Sequence, residues 1–297
     1  MYPAEFEYFA PRTVGEALDL LRRHGDEAKI LAGGQSLIPM MKLRIASPRY
    51  LIDLNHISSL TGFQDSGDRL LIGALCRHAE IAESPLVRSR LPIMTDAAHL
   101  TADIQVRNRG TLAGSLAHAD PAGDWPTALL ALDAEVEIAG TSGVRTVPVN
   151  DFLVDAYTTQ LESSELVTRI SVPFGRTGSG GAYVKFEKRA GDFAVASAGV
   201  QLELDEGGRC SRVAVSLGAV GPRPVRASHA EKLLESKTIS PDLLGEAEAL
   251  VRGEADPFED TRGSVEYKRH LAGVLFRRAF AVAVDRARGR DVTTLHF

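Results

Sequence analysis

Nine residues near the N-terminus decide how the rest of the chain is interpreted: Lys29-Ile30-Leu31-Ala32-Gly33-Gly34-Gln35-Ser36-Leu37. The apolar run 30–32 predicts a strand that ends at the glycine pair. Glycine adopts positive φ readily and has no Cβ, so other atoms can approach its backbone closely. Ser36 is a candidate N-cap for a short helix over 37–41. Backbone N–H groups exposed in such a turn bind anions such as phosphate, although an ordinary tight turn explains the same residues.

Composition excludes several classes of protein. The 297 residues suffice for more than one domain, and 44% apolar with 25% charged residues is typical of a globular protein. A net charge of −5, without a basic stripe carrying aromatics, argues against nucleic-acid binding. No apolar run approaches the roughly 20 residues that span a membrane. The acidic start, residues 1–8, is unlike a signal peptide, so we expect a cytoplasmic protein.

Cysteine usage limits the metal chemistry that this chain can hold by itself. The only cysteines are Cys76 and Cys210, which are far apart in sequence. Two sulfurs cannot ligate an iron–sulfur cluster or a closed zinc site alone. Any such centre that serves this protein is expected in another chain.

Periodicity predicts three units. The first, 1–57, has a helix that Thr13 and Glu16 open with a capping box and Gly25 ends, then the strand with its glycine turn and a strand at 49–54. In the second unit, 58–175, strands alternate with helices. Its predicted strands are 69–73, 135–139, 144–149 and 166–173, with a hairpin turn at 140–143, and its predicted helices are 77–83, 92–100 and 124–132.

The glycine-rich stretch 175–181 is the predicted domain boundary, and we expect it to be a flexible connection. The third unit, 180–297, begins with strand patterns and ends with helical ones. The strands are predicted at 182–188, 194–204 and 209–220, and the helices at 226–234, 240–252 and 264–288. The fold class is therefore α+β.

A second group of small residues, Thr111-Leu112-Ala113-Gly114-Ser115, also has the composition of a turn. Two such turns indicate two walls around one pyrophosphate. Neither has the Gly-x-Gly-x-x-Gly spacing of a Rossmann fold. The residues alone thus indicate a dinucleotide between two subdomains and go no further.

The two motifs, with the stretches 3–8, 120–124 and 188–194, resemble the FAD-binding medium subunit of molybdenum hydroxylases, the xanthine dehydrogenase family. Within it the chain is most similar to the medium subunits of aerobic carbon monoxide dehydrogenases. The resemblance covers essentially the whole chain. It implies a vanillyl-alcohol-oxidase-type FAD domain of two α+β subdomains, plus a C-terminal domain with a three-stranded antiparallel sheet and a helical bundle.

The resemblance also implies a site and partners. FAD would be the cofactor, and the molybdenum cofactor and 2Fe-2S clusters would lie in a large and a small partner subunit, as a dimer of heterotrimers. No catalytic or metal-binding residue is assigned to this chain. The residues implied to contact FAD are Lys29, Ile30, Leu31, Ala32, Gly33, Gly34, Gln35, Ser36, Leu37, Thr101, Thr111, Ala113, Gly114, Ser115, Ala117, Asp120, Asp124, Val167, Lys185 and Phe193.

The second motif departs from the family pattern, Thr-Ile/Val-Gly-Gly-Asn. Ala113 replaces the first glycine and Ser115 replaces the asparagine. If position 113 needed a positive φ, alanine would cost on the order of 1 kcal/mol. Ser115 keeps a donor but loses the reach of an amide.

Simpler explanations exist for several of these residues. Asp124 starts a predicted helix, where a carboxylate is favourable simply as a partner of the helix dipole. A role as hydrogen-bond acceptor for a sugar hydroxyl explains the residue equally well. A strand lysine such as Lys185 is solvated by default, and Phe193 is most simply a core aromatic. Arginines such as Arg107 and Arg109 are more often solvated or structural than phosphate-binding.

A metal site could be drawn from His118, Asp120 and Asp124, but nothing in the sequence fixes the remaining ligands. At the level of the whole protein, three functions compete: a flavoprotein subunit of a heteromeric molybdenum hydroxylase, a stand-alone flavin oxidase of the same fold, and an assembly subunit without FAD. The nearly complete first motif argues against the third. For the first function, we expect that Gly33→Val would place a side chain against the pyrophosphate and deplete the protein of flavin.

Overall fold

The computed structural model describes residues 2–294. Met1, which begins the first predicted unit, and residues 295–297, which end the last one, lie outside the described residues. Helices and strands are mixed along the chain, so the predicted α+β class is confirmed.

The N-terminal part is a small sheet of three parallel strands. Its strands and helices are β1 (Glu7–Phe9), α1 (Val14–His24), β2 (Ala28–Leu31), α2 (Leu37–Lys42) and β3 (Tyr50–Asp53). Strand β3 lies between β1 and β2 and is parallel to both. The glycine turn therefore leaves the carboxyl end of β2 beside the segment that follows β3. Short 3-10 turns over Gly25–Glu27, Leu54–His56 and Ser58–Leu60 complete this part.

The middle part is a five-stranded antiparallel sheet in the order β4-β5-β10-β6-β7, with helices packed beside it. The described elements are β4 (Phe63–Asp65), β5 (Arg69–Gly73), α3 (His78–Glu83), α4 (Pro85–Arg90), α5 (Pro92–Leu100), α6 (Ile104–Arg107), α7 (Leu112–His118), α8 (Asp124–Ala131), β6 (Glu135–Gly140), β7 (Gly143–Pro148), α9 (Val149–Phe152), β8 (Leu153–Asp155), β9 (Thr158–Thr159) and β10 (Leu166–Pro173). The predicted hairpin is the β6–β7 pair.

The C-terminal part is a sheet covered by helices. Its elements are β11 (Ser179–Phe186), β12 (Ala196–Leu204), β13 (Arg209–Gly218), β14 (Val225–Arg226), α10 (Ser228–Leu234), β15 (Lys237–Thr238), α11 (Pro241–Glu254) and α12 (Val265–Ala287). The predicted three-stranded antiparallel sheet is formed by β11, β12 and β13. Two additional strands of two residues each, β14 and β15, pair with β13.

The glycine-rich stretch 175–181 is less flexible than its composition predicts. Strand β11 begins at Ser179, so Gly180 and Gly181 belong to the sheet. A Cβ on Gly180 would overlap Ala283 O and lie 2.5 Å from Ala287 N, both on the last helix. Glycine is needed here because a helix packs directly on the strand, and the expectation of a flexible connection across all seven residues is wrong.

Two hydrophobic cores lie on either side of this stretch. The first contains Ile52, Ile72 and Trp125, and the second contains Phe276 and Phe280 under the C-terminal sheet. Together these cores hold most of the apolar surface that the chain buries.

A buried ion pair joins the middle part to the C-terminal part. Arg286 of α12 binds Asp96 of α5 with two hydrogen bonds, Nη1 to Oδ2 at 2.6 Å and Nη2 to Oδ1 at 2.9 Å. The two side chains are only 12% and 7% exposed. Tyr183 N also donates to Asp96 Oδ2, and Arg286 Nη1 donates to Gly181 O. The orientation of the two parts is thereby held by charged, desolvated groups.

Both cysteines are buried and free, and burial raises the pKa of each thiol, to about 12 for Cys210. Over residues 2–294, no helix is both long enough and apolar enough to cross a membrane.

Candidate functional site

The glycine turn after β2 combines a positive φ at one glycine with a close backbone contact at the other. Gly34 has φ +76°, whereas Gly33 does not lie in the left-handed region. A Cβ on Gly33 would overlap Arg109 O and lie 2.7 Å from Gly110 Cα. The first motif is therefore in direct contact with the residues that lead into the second, and this contact requires glycine at position 33.

This contact changes the expected effect of a side chain at position 33. A valine there would first meet the backbone of residues 109–110 and force the two segments apart. The expectation that the valine would lie directly against a pyrophosphate is corrected accordingly.

The turn presents a row of unbonded donors. In the described part of the chain, the backbone N–H groups of residues 33–37 donate no hydrogen bond. Ser36 is the N-cap residue of α2, but its side chain makes no capping hydrogen bond, so the predicted capping role is wrong. Its hydroxyl has no partner among residues 2–294, because its backbone is helical (φ −105°, ψ −49°) rather than extended.

The second motif is the start of a helix rather than a turn. Thr111 is the N-cap of α7, and its Oγ1 accepts from Gly114 N at 3.2 Å. Ala113 is helical and buried, so the strain considered for a positive φ at this position does not arise. A Cβ on Gly114 would lie 3.8 Å from Ala32 Cβ, which places the helix start against the first motif. The Ser115 hydroxyl has no hydrogen-bond partner within the described residues.

The donor set fits a pyrophosphate. Consecutive backbone N–H groups concentrate positive potential in a concave turn, and a helix start adds to it. The Arg109 side chain is exposed beside this turn and supplies a full positive charge. Arg107 is structural instead, because its Nη1 donates to Thr101 O at 3.1 Å and Ala102 O at 2.8 Å.

A second group of predicted site residues forms a buried charge cluster. Lys185 Nζ lies 3.2 Å from Asp124 Oδ1 and 2.9 Å from Glu187 Oε2, and it donates to Asp192 O at 3.0 Å. Its side chain is 1% exposed, so the default expectation of a solvated lysine is wrong. The start of α8 and the loop after β11 supply the groups that surround its Nζ, which strand alternation alone does not reveal.

Asp124 is the first residue of α8 and is 7% exposed. Tyr183 Oη donates to its Oδ1 at 2.8 Å. Burial raises the pKa of Asp124, while the charge of Lys185 and the hydrogen bond from Tyr183 oppose that rise. Asp124 is thus one part of an internal network in addition to its position at a helix start.

Phe193 is 51% exposed, so the core interpretation of this aromatic residue is wrong. It lies on the loop 187–193, which Glu187 holds by accepting from Gly191 N at 3.1 Å. Gly191 packs against Ala102, next to Thr101, whose hydroxyl donates to Ala97 O. An exposed aromatic side chain beside the site is available to cover a flat ligand.

The remaining predicted positions lie on or next to other elements of the fold. Val167 is buried where β10 has an irregular register, and α7 packs on that strand. Asp120 follows α7 and accepts from Ala122 N at 2.9 Å and from Tyr157 Oη at 3.4 Å. Ala117 and Lys29 are exposed, on α7 and β2. His118 lies against the ring of Tyr157, with centroids 5.3 Å apart.

Two polar residues that were not predicted from the sequence join the two contacting segments of the site, which we call the cradle. Asn55 follows β3, and Arg77 is the N-cap residue of α3. Asn55 Nδ2 donates to Ala32 O at 2.9 Å, and Arg77 donates to Asn55 Oδ1 and to Arg109 O. A signal for Asn55 was present, since polar residues after adjacent parallel strands gather at one sheet edge; Arg77 had no local signal.

The fold and the site together define a class of protein. Its members are α+β chains in which two contacting backbone segments form a candidate anion site, followed by a C-terminal sheet covered by helices. Residues 4–175 match the family model "FAD binding domain in molybdopterin dehydrogenase". Residues 181–283 match the model "CO dehydrogenase flavoprotein C-terminal domain". The chain therefore belongs to the family of FAD-binding medium subunits of molybdenum hydroxylases, which are oxidoreductases.

Similar proteins cover nearly the whole chain. The carbon monoxide dehydrogenase medium chain of Hydrogenophaga pseudoflava is 40% identical, over 95% of this chain and 98% of its own length. The 6-hydroxypseudooxynicotine dehydrogenase complex subunit alpha of Paenarthrobacter nicotinovorans is 39% identical, over 97% of both chains. A solved Hydrogenophaga pseudoflava carbon monoxide dehydrogenase lacking the Mo-pyranopterin moiety contains a chain with a TM-score of 0.94 and 42% identity, covering 96% of this chain and 99% of that one. These matches confirm the predicted family and the fold that it implies.

Proposed function

We propose that the contacting walls 30–37 and 111–115 hold the pyrophosphate of FAD. The observation that carries this proposal is the row of unbonded N–H groups over residues 33–37, in contact with residues 109–110 directly before the second wall. We further propose that Lys29, Thr101, Ala117, Asp120, Asp124, Val167, Lys185 and Phe193 line the rest of the cofactor.

In this proposal the chain passes electrons within a larger complex. FAD held by these residues would carry electrons from 2Fe-2S clusters of a small partner subunit to an external acceptor such as quinone, NAD or dioxygen. The residues of this chain bind and orient the cofactor and shield it from water. A large subunit holds the molybdenum centre where substrate is oxidised, and a cytoplasmic dimer of such heterotrimers is part of the proposal.

The proposal leaves substrate choice to the large subunit. Of the two relatives described above, one belongs to a carbon monoxide dehydrogenase and the other to a 6-hydroxypseudooxynicotine dehydrogenase. Similar medium chains thus serve enzymes named for different substrates. The division into units 1–57, 58–175 and 180–297 also remains a proposal; the family-model limits at 175 and 181 support its second boundary only.

Purification of the native complex tests this function. We expect an FAD absorption band, with molybdenum and iron in two further subunits that elute with this chain. A native preparation with neither flavin nor partner subunits would contradict the proposal. Substrate-dependent flavin reduction by the isolated chain would instead favour the stand-alone oxidase.

A further inference from the structure

We infer that Asn55 and Arg77 form a clasp that fixes the gap between the two walls of the cradle and thereby sets FAD affinity. This inference rests on the proposed function, because it concerns residues that position the FAD site. Neither residue belongs to the two motifs.

The clasp is a continuous series of hydrogen bonds from one wall to the other. Asn55 Nδ2 donates to Ala32 O at 2.9 Å on the first wall. Arg77 Nη2 donates to Asn55 Oδ1, and Arg77 Nη1 donates to Arg109 O, two residues before the second wall. The two carbonyl acceptors belong to the residues directly before Gly33 and Gly110. The clasp therefore acts at the backbone of the cradle itself.

Both ends of the clasp are anchored. Asp53 Oδ1 accepts from the backbone N–H of Asn55 at 2.9 Å, and Asp53 Oδ2 accepts from Tyr8 Oη at 2.6 Å. Asp53 is 8% exposed. On the other side, Arg77 N donates to Glu80 Oε2 at 2.5 Å at the start of α3, and Arg77 forms a β-bridge with Thr111. The clasp thus connects the three-stranded sheet to the helix start of the second motif.

The clasp and Gly33 have complementary roles. The absent Cβ at Gly33 allows the two backbones to touch, and the hydrogen bonds keep them together. An anion site built from donors on two walls binds well only when the donors are held in place before the ligand arrives. Asn55 and Arg77 are therefore positioning residues that act through Ala32 and Arg109.

Four substitutions separate the two halves of the clasp. Asn55→Ala removes its two clasp bonds, to Ala32 O and from Arg77, and also its bond to Asp53 Oδ1, whereas Asn55→Asp keeps only the acceptor for Arg77. Arg77→Met removes the guanidinium, and Arg77→Lys keeps a charge and one donor group. The matched control is Arg145→Met. Arg145, in β7 of the five-stranded sheet, also joins a side chain, Glu165, to a backbone carbonyl, that of Gln160.

Two quantities are measured on the full chain: the FAD dissociation constant, from quenching of flavin fluorescence, and the urea midpoint of the FAD-free protein. We expect Asn55→Ala and Arg77→Met to weaken FAD binding by about 10- to 100-fold, the range for two lost hydrogen bonds. Arg77→Lys should recover part of that loss, and Asn55→Asp should recover less, because its carboxylate would face that of Asp53. Arg145→Met should lower the urea midpoint and leave the dissociation constant unchanged.

Each result bears on a different claim. Wild-type affinity in all four clasp variants, with a wild-type chain that binds FAD, would overturn the clasp alone. A loss of affinity that merely follows the fall in urea midpoint, as strong in Arg145→Met, would overturn it as well. Failure of the wild-type chain to bind FAD would overturn the proposed function, and the clasp with it. If Arg77→Met does not fold, the two conservative variants decide the question.

Discussion

The backbone carbonyl of Arg109 lies where Gly33 would carry its Cβ. Two segments that are distant in sequence therefore meet without any side chain between them. The close contact places the turn after β2 against the segment that leads into α7.

The first prediction concerns this contact. Gly33→Ala should deplete the purified protein of FAD, because the new Cβ forces the wall at 109–110 away. Extraction of flavin and its absorbance per mole of protein measure the effect. Gly245→Ala is the control, since Gly245 lies in α11 with nothing within 4 Å of an added Cβ, and it should gain about 0.5–1 kcal/mol of stability. Full FAD occupancy in Gly33→Ala would show that the walls tolerate separation.

The second prediction concerns the buried lysine. Lys185→Met leaves the carboxylates of Asp124 and Glu187 without their cation, so the free energy of unfolding should fall by about 3–5 kcal/mol. The loss should shrink as the pH is lowered, because burial raises the pKa of Asp124 and its carboxylate is then protonated. Urea unfolding at several pH values measures both effects. Lys237→Met, at an exposed strand residue, should change stability by less than about 0.5 kcal/mol.

The third prediction concerns pH. Burial, with the charges of Arg77 and Arg107, lowers the pKa of His78 from 6.5 to about 3. The folded state therefore binds a proton less readily than the unfolded state. The contribution of His78 to stability is fully present above pH 6.5. As the pH is lowered from 6.5 to about 3, the free energy of unfolding should fall by about 1.4 kcal/mol per pH unit.

His78→Gln removes this titration, so its unfolding free energy should change less steeply with pH over the same range. His78 stacks on Trp125 with ring centroids 5.5 Å apart, so the variant is expected to be less stable than wild type at neutral pH. Parallel pH profiles for the two proteins would contradict the assignment.

The fourth prediction concerns the exposed aromatic residue. Phe193→Ala should alter the visible absorption and the fluorescence of bound flavin while changing the unfolding free energy by less than about 0.5 kcal/mol. Phe258→Ala is the matched control, because Phe258 is also exposed, at 64%, and was not predicted to be near the flavin. Identical flavin spectra in wild type and Phe193→Ala would remove Phe193 from the site.

The sequence predicted elements well where apolar residues recur with a clear period. The strands at 69–73 and 166–173 and the helix at 92–100 have the expected bounds. Helix α7 was missed because Ala113, Gly114 and Ser115 leave little apolar periodicity, and Thr111 was interpreted as part of a turn. An N-cap residue such as Thr111 cannot be recognised when the helix that follows it has not been predicted.

The site was predicted in part for a physical reason. Glycine and hydroxyl motifs are local and can be read along the chain. The environment of Lys185 depends on three segments that come together only in the fold. The same is true of Asn55 and Arg77, whose common targets are backbone carbonyls with no sequence signature.

The ion pair between Asp96 and Arg286 has a consequence for how the protein is made. Asp96 leaves the ribosome long before Arg286, which lies near the end of the last helix. The middle part must hold Asp96 without its partner until synthesis is nearly complete, so it is expected to reach its final packing only then. A gene divided at the 175–181 stretch would give two products that each lack half of the pair, and each would need the other to bury its charge.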